Sequence, residues 1–184
     1  MKKAMVLLAP GFEEIEAATV IDILRRAGID VTVAGVGAGE ITGSRKVRIL
    51  PDARAEELEL TQYDACVLPG GMPGASNLAA SDQVKRILLH LHRQEKLIGA
   101  ICAAPAVVLA PLGILDGKAA TCYPGMEEKF TETTTHQEQP VVRDGHLITS
   151  RGPGTALAFA LTLVDALAGR ETKEHIAEAT LFGG

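Results

Sequence analysis

The chain has 184 residues, 47% hydrophobic and 3% aromatic with no Trp, and its 18 basic and 23 acidic groups give a net charge of −5. That length suits a single domain, expected over 1–184, with a core of Ala, Val, Leu and Ile, while the acidic balance and scarce aromatics argue against a nucleic-acid surface. The apolar runs all stop well short of the about 18 residues that a membrane span needs, and Met1-Lys2-Lys3 leads straight into a strand-like segment, so a cytoplasmic protein away from membranes is expected.

Residues 4–9 are a continuous apolar run ended by Pro10-Gly11, as a strand covered on both faces would be. A helix is expected from about Glu14 to Arg26, with Ile15, Ala18, Ile21 or Ile23 and Leu24 on its apolar face, acids in its first turn and Ala27-Gly28 at its end. Asp30 to Val36 reads as a second strand, Gly35 to Gly43 as a turn region, and Lys46-Val47-Arg48-Ile49 as one half-exposed strand closed by Pro51. Residues 65–68 form a buried strand, and Pro69-Gly70-Gly71-Met72-Pro73-Gly74 after them is a loop. A helix from about Asp82 to Gln94 carries Val84, Ile87, Leu88 and Leu91 on one face.

Leu97 to Ile101 is the next strand, and it runs through Cys102 into a helix reaching about Ala110. Short strands are expected near Ala119 to Thr121, at Val141-Val142 and at Leu147 to Thr149, with Asp144-Gly145 as a hairpin turn. Helices over Thr155 to Leu167 and Thr172 to Leu181 finish the chain. Strands alternating with helices imply a flavodoxin-like α/β fold, a mostly parallel sheet with helices on both faces. No G-x-G-x-x-G opens a helix and no phosphate-loop motif occurs, so no nucleotide cofactor is expected.

Cys102 stands where a strand turns into a helix, the place at which open α/β sheets hold ligands. Small Ala100 and Ala104 flank it, as in the nucleophile elbow of hydrolases, and a helix N-terminus should lower its pKa. The plainer alternative is a small buried hydrophobe. Cys66, mid-strand, reads as core, whereas Cys122 either lines the pocket or fills it, just after a short strand on the same sheet edge. No C-x-x-C pair occurs, so free thiols in a reducing compartment are expected. Glu13, Glu14 and Glu16 open on the edge that carries Cys102, and Glu16, among Ile15, Ala17 and Ala18, is the one expected to be partly buried with a raised pKa. The five histidines are scattered, His90 and His92 cannot share a helix face, and no metal site is expected.

Ala9-Pro10-Gly11-Phe12-Glu13-Glu14-Ile15-Glu16, Arg25-Arg26-Ala27-Gly28, Gly43-Ser44-Arg45, Leu68-Pro69-Gly70-Gly71, Ala100-Ile101-Cys102-Ala103-Ala104-Pro105 and Ser150-Arg151-Gly152-Pro153-Gly154-Thr155 follow one another in order. Together they resemble the ThiJ/PfpI superfamily, in the branch of the Parkinsonism-associated protein DJ-one and bacterial YajL. The resemblance implies a three-layer sandwich of the class I glutamine amidotransferase-like kind and a homodimer. It also implies Cys102 as an oxidation-sensitive nucleophile, Glu16 as the acid that hydrogen-bonds it, and Gly70, Gly71 and Ala103 as pocket backbone. Arg45 and, less directly, Arg26 would be pocket or interface residues. Two departures matter: Ala103 stands where the protease branch has His, and Tyr123 stands where close eukaryotic relatives place a pocket His. The activity implied is therefore a glutathione-independent glyoxalase or deglycase acting on methylglyoxal, glyoxal or their early adducts. The alternative is an oxidation-sensing, stress-linked redox chaperone without turnover.

Overall fold

Six short stretches, all but the two-residue Ala53–Arg54 largely apolar, supply the parallel part of the central sheet. In the computed structural model, which describes residues 1–183, they are β1 (Lys3–Leu8), β2 (Asp30–Gly35), β5 (Ala53–Arg54), β6 (Ala65–Leu68), β7 (Leu97–Ile101) and β11 (Leu147–Ser150). Only β10 (Val141–Asp144) is antiparallel, hairpinned to β11, and the spatial order is β10-β11-β7-β6-β1-β2-β5. β1, β6 and β7 have no exposed residue because helices cover both of their faces, which is why their sequence does not alternate. The flavodoxin-like reading therefore holds.

α1 (Glu14–Arg26) and α4 (Ala156–Ala168) pack together, with α5 (Arg170–Ala179) against α4. α2 (Gly74–Ala80) and α3 (Asp82–Arg93) pack on β1, β6 and β7. The α3 reading from periodicity was right: Ser81 caps it and Val84, Ile87, Leu88 and Leu91 are buried. The apolar face of α1 differs from the expected one. Ala17, Val20, Ile23 and Leu24 face the core, while Ile15 is 56% exposed and Ala18 points outward.

Other departures are local. The expected single strand at 46–49 is a small hairpin of β3 (Ile41–Thr42) and β4 (Arg48–Ile49), and two-residue β5 goes unsignalled. α2 starts directly at Gly74, the last residue of the expected loop. β8 (Ala119–Ala120) does not join the main sheet but pairs with β9 (Thr135–His136). After Cys102 the chain makes a π-helical turn (Pro105–Leu109) and a 3-10 turn (Ala110–Leu112) instead of a regular helix.

The connections run from β1 outward to β2 and β5, then return to place β6 on the other side of β1 and continue to β7 and β11. The loops leaving β1 and β6 thus diverge at their C-terminal ends, the switch point at which this architecture forms a crevice. Pro10 to Glu13, Gly70-Gly71 and, one strand over, Cys102 all lie there.

Candidate active site

Cys102 has φ of 64°, in the left-handed region that a side chain with a Cβ rarely adopts. Strand β11 and the loop after residue 120 hold that conformation in place. The Cys102 N–H donates to the Ser150 carbonyl at 2.9 Å, and its own carbonyl accepts from the Tyr123 N–H at 2.8 Å. The loop after β6 also presses on it: a Cβ added at Gly70 would sit 2.7 Å from the Cys102 Cβ and 2.7 Å from the Ile101 carbonyl oxygen. The turn therefore aims the sulfur at the crevice with little freedom to relax. Cys102 is only 7% exposed.

Glu16 meets it from α1. The Glu13 side chain caps that helix by accepting from the Glu16 N–H at 2.8 Å, which fixes where the first turn begins. Glu16 then shares the inward face with Val20 and Ile23, at i+4 and i+7, and is fully buried. Its Oε2 accepts from the Gly70 N–H at 2.7 Å, while Oε1 has no hydrogen-bond partner among the described residues. Burial pushes this carboxyl up to about 7 against the pull of the Gly70 N–H, and the charge of Glu13 adds to the rise.

The low thiol pKa expected for Cys102 is a correction the structure makes. Burial, then the negative charge of Glu16, push it up to about 12, outweighing the lowering by the Gly71 and Ala103 N–H groups. The pocket is buried and already holds one acid, so each ionisation opposes the other. Gly70 and Gly71 have separate partners: the first N–H serves Glu16 and the second serves the sulfur.

The remaining candidates scatter. Glu14 is buried but accepts from the Ser44 hydroxyl at 3.1 Å and from the Arg45 N–H, tying the β3–β4 hairpin to α1. The Arg45 side chain is exposed. Arg26 lies ten residues along α1 from Glu16, about 15 Å. It pairs there with Asp22 at 2.6 Å and takes no part in the Cys102 pocket. Tyr123 is 49% exposed and lines an open cavity of about 380 Å³ with Pro124, Arg151 and Gly152 to Thr155. Cys66 is core, as read, with burial pushing its thiol above the ordinary range. Cys122, Glu127 and His136, scattered in the sequence, converge with potential ligand atoms within 4.8 Å of one another. Their separation in sequence hid them, and only the unforeseen β8–β9 pairing brings them together.

A strained cysteine at a strand-to-helix turn, facing a buried carboxyl at the switch point of a parallel sheet, defines a cysteine-centred α/β protein of the nucleophile-elbow type. Residues 2–166 match the DJ-1/PfpI family, and the chain belongs to that family. It is 45% identical over 182 residues to Protein dj-1beta of Drosophila melanogaster, covering 98% of this chain and 97% of that one. The glutathione-independent glyoxalase DJR-1.2 of Caenorhabditis elegans is 38% identical over 172 residues, covering 92% and 91%. Protein DJ-1 homolog B of Arabidopsis thaliana is 46% identical over 178 residues, 96% of this chain, which spans 40% of that longer protein. Among solved structures, oxidized Toxoplasma gondii DJ-1 superposes with a TM-score of 0.96 at 38% identity, covering all of both chains. No helix among the described residues is long and apolar enough to cross a membrane.

Proposed function

We propose that this protein converts methylglyoxal and similar small 2-oxoaldehydes to hydroxy acids without glutathione, with Cys102 as nucleophile and Glu16 as acid and base. The observation that carries the reading is the buried Glu16 carboxyl, poised near 7 beside a thiol that cannot ionise alone. The thiol passes its proton to the Glu16 carboxylate as sulfur adds to the aldehyde carbon, and the hemithioacetal oxygen takes that proton up. Glu16 then removes the proton on the former aldehyde carbon and returns it to the adjacent carbon, while the hemithioacetal hydroxyl proton passes to the neighbouring carbonyl oxygen through an enediol, leaving a 2-hydroxy thioester. Water hydrolyses the thioester to lactate and regenerates the thiol. Methylglyoxal plus water equals lactate, so no external oxidant or reductant enters. The Gly71 and Ala103 N–H groups, already directed at the sulfur, are placed to stabilise a developing oxyanion. An aldehyde is electrophilic enough to need no histidine base, which fits Ala103 and Tyr123 at the departing positions. The same attack would release early methylglyoxal or glyoxal adducts from proteins, the deglycase form of the reaction, and the relative named a glyoxalase supports this class of substrate.

The test is lactate production from methylglyoxal without glutathione. Cys102→Ser should abolish it, and Glu16→Gln should lower kcat by about 10²- to 10⁴-fold, the range of positioned general acid–base catalysis. With the wild type, kcat/KM should climb as pH passes through about 7, where Glu16 becomes a base. No lactate above the serine control from folded protein would sink the aldehyde reading.

One feature favours oxidation sensing as a second role. A protonated Glu16 and the Gly71 and Ala103 N–H groups together form a cradle for the oxygens of a sulfinate on Cys102. A relative of nearly identical fold is described as oxidized. This is the stress-linked redox reading, chaperone included, and mass spectrometry after graded peroxide should find Cys102 modified before Cys66 and Cys122 if it holds. We also propose a homodimer through the surface around exposed Ile15, Arg45 and Val47, which sedimentation velocity would detect.

A further inference from the structure

Residues 118–136 leave the main sheet and fold back on themselves outside the site just described. β8 and β9 pair Ala120 with His136, and Cys122 lies two residues beyond Ala120, so by strand alternation it follows on the same side. Between the strands the chain makes a 3-10 turn over Glu127–Lys129. The result brings Cys122 Sγ, a Glu127 carboxylate oxygen and a His136 ring nitrogen within 4.8 Å of one another. Cys122 is buried, whereas Glu127 and His136 are half-buried and open a path from solvent.

We propose that Cys122, Glu127 and His136 form a three-ligand site for a borderline divalent transition ion, with zinc the best fit. One thiolate, one imidazole and one carboxylate is a donor set that suits zinc and that hard calcium or magnesium would not select. Thiolate and carboxylate together neutralise the dication. Bond lengths of about 2.0–2.3 Å put tetrahedral ligand atoms about 3.5 Å apart, so the trio has to close by about 1 Å. The half-buried Glu127 and His136 side chains have room for that movement. Each is also steadied from behind. The Gly125 N–H donates to Glu127 Oε2 at 2.7 Å, and the Phe130 ring packs edge-on against His136 at 6.0 Å. With three protein ligands, the fourth position stays open to water or a small ligand. Because Tyr123 follows Cys122 and donates to the Cys102 carbonyl, an ion there would also stiffen one support of the nucleophile turn.

The experiment is titration of the metal-free 184-residue protein with Co²⁺, a spectroscopic stand-in for zinc, followed by displacement with Zn²⁺. One equivalent of Co²⁺ should produce the intense visible bands of tetrahedral coordination and a thiolate-to-cobalt charge-transfer band. Cys122→Ser should remove the charge-transfer band. His136→Gln and Glu127→Gln, at half-buried positions that keep the fold, should weaken binding by more than the about 10- to 100-fold typical of losing an outer-shell partner. Cys102→Ser should leave the spectrum intact, which separates this site from the nucleophile and makes the test independent of aldehyde turnover. Bands that follow Cys102, affinity indifferent to His136 and Glu127, or no stoichiometric binding would each overturn the proposal.

Discussion

The two edges of the central sheet make opposite uses of polar residues. At the C-terminal edge Glu16 is fully buried, one of its oxygens has no partner, and it faces a cysteine held at positive φ. At the N-terminal edge a larger cavity of about 490 Å³ is lined by Lys2, Asp64, Lys96, Lys118, Arg143 and His146 among others. Those charges are partnered: Lys2 and Lys96 with Asp64, Lys118 with Asp144, Arg143 with Asp165. His146 stacks near His92, nitrogen to nitrogen at 3.0 Å, and burial followed by the His92 and Lys118 charges holds its pKa below the ordinary value. Among the described residues the larger hollow is lined by no cysteine, and of its Lys, Arg, Asp and Glu side chains only exposed Glu95 has no ion-pair partner. What marks the Cys102 edge is a polar group left short of partners beside a strained backbone, and cavity size does not reveal it.

The sharpest way to break this comparison is to titrate stability. Glu16 ionises near 4.5 when unfolded and near 7 when folded, so the folded state binds the extra proton between those values. Its contribution is fully present below about pH 4.5 and is lost as pH rises through 7, a loss of about 3 kcal/mol at 1.36 kcal/mol per pKa unit. Urea denaturation at pH 5 and pH 8 should therefore show the wild type losing about that much relative to Glu16→Gln. Parallel profiles for the two proteins would mean that the carboxyl is not held neutral by its pocket.

A smaller effect should separate two glycines, one on each edge. Gly70→Ala places a methyl against Cys102 and the flanking backbone at distances of 2.7 to 2.9 Å, which backbone must yield to relieve. We expect a cost of about 2 kcal/mol, in the range for overpacked sites, with loss of the Glu16 contact and of turnover. Gly145→Ala at the opposite hairpin meets only the end of Lys118 at 3.9 Å and costs its positive φ, about 1 kcal/mol, with turnover unchanged. Thermal melts and the lactate assay read both, and equal effects on activity would erase the distinction between the edges.

Much of the Cys102 edge is legible in the sequence because local rules determine it. A buried strand running into Cys102 between small residues, a helix opening with three acids, and Pro-Gly punctuation all act over a few residues. The burial expected for Glu16 is found, but for another reason than its sequence neighbours suggest: Ile15 and Ala18 face outward, and Glu16 is buried on the helix face it shares with Val20 and Ile23. The thiol pKa was misread because helix-end electrostatics are visible in sequence, whereas the desolvation and the opposing carboxyl depend on how α1 docks. Two-residue strands such as β5 and β9 carry too little periodicity to be read, and the Cys122 cluster disappears with them. His92 on α3 and His146 in the β10–β11 turn meet only once the fold brings the helix against the hairpin, which no local pattern signals.

The smallest predicted effect concerns the paired edge itself. Burial pushes the Asp64 carboxyl up, yet the Lys3 N–H at 3.0 Å and the Lys2 ammonium at 2.9 Å outweigh it and hold its pKa below the ordinary value. A depressed carboxylate stabilises above its unfolded pKa and loses that contribution only as pH falls through the folded one, the reverse of Glu16. Asp64→Asn keeps an acceptor for the Lys3 N–H and removes only the charge, and the Lys2 partner is half exposed. The expected loss is therefore under about 1 kcal/mol at pH 7, smaller still at high salt, with no change in lactate formation. A loss of several kcal/mol, or one insensitive to salt, would mean that the N-terminal edge also depends on a desolvated charge. The contrast between the edges would then be one of degree.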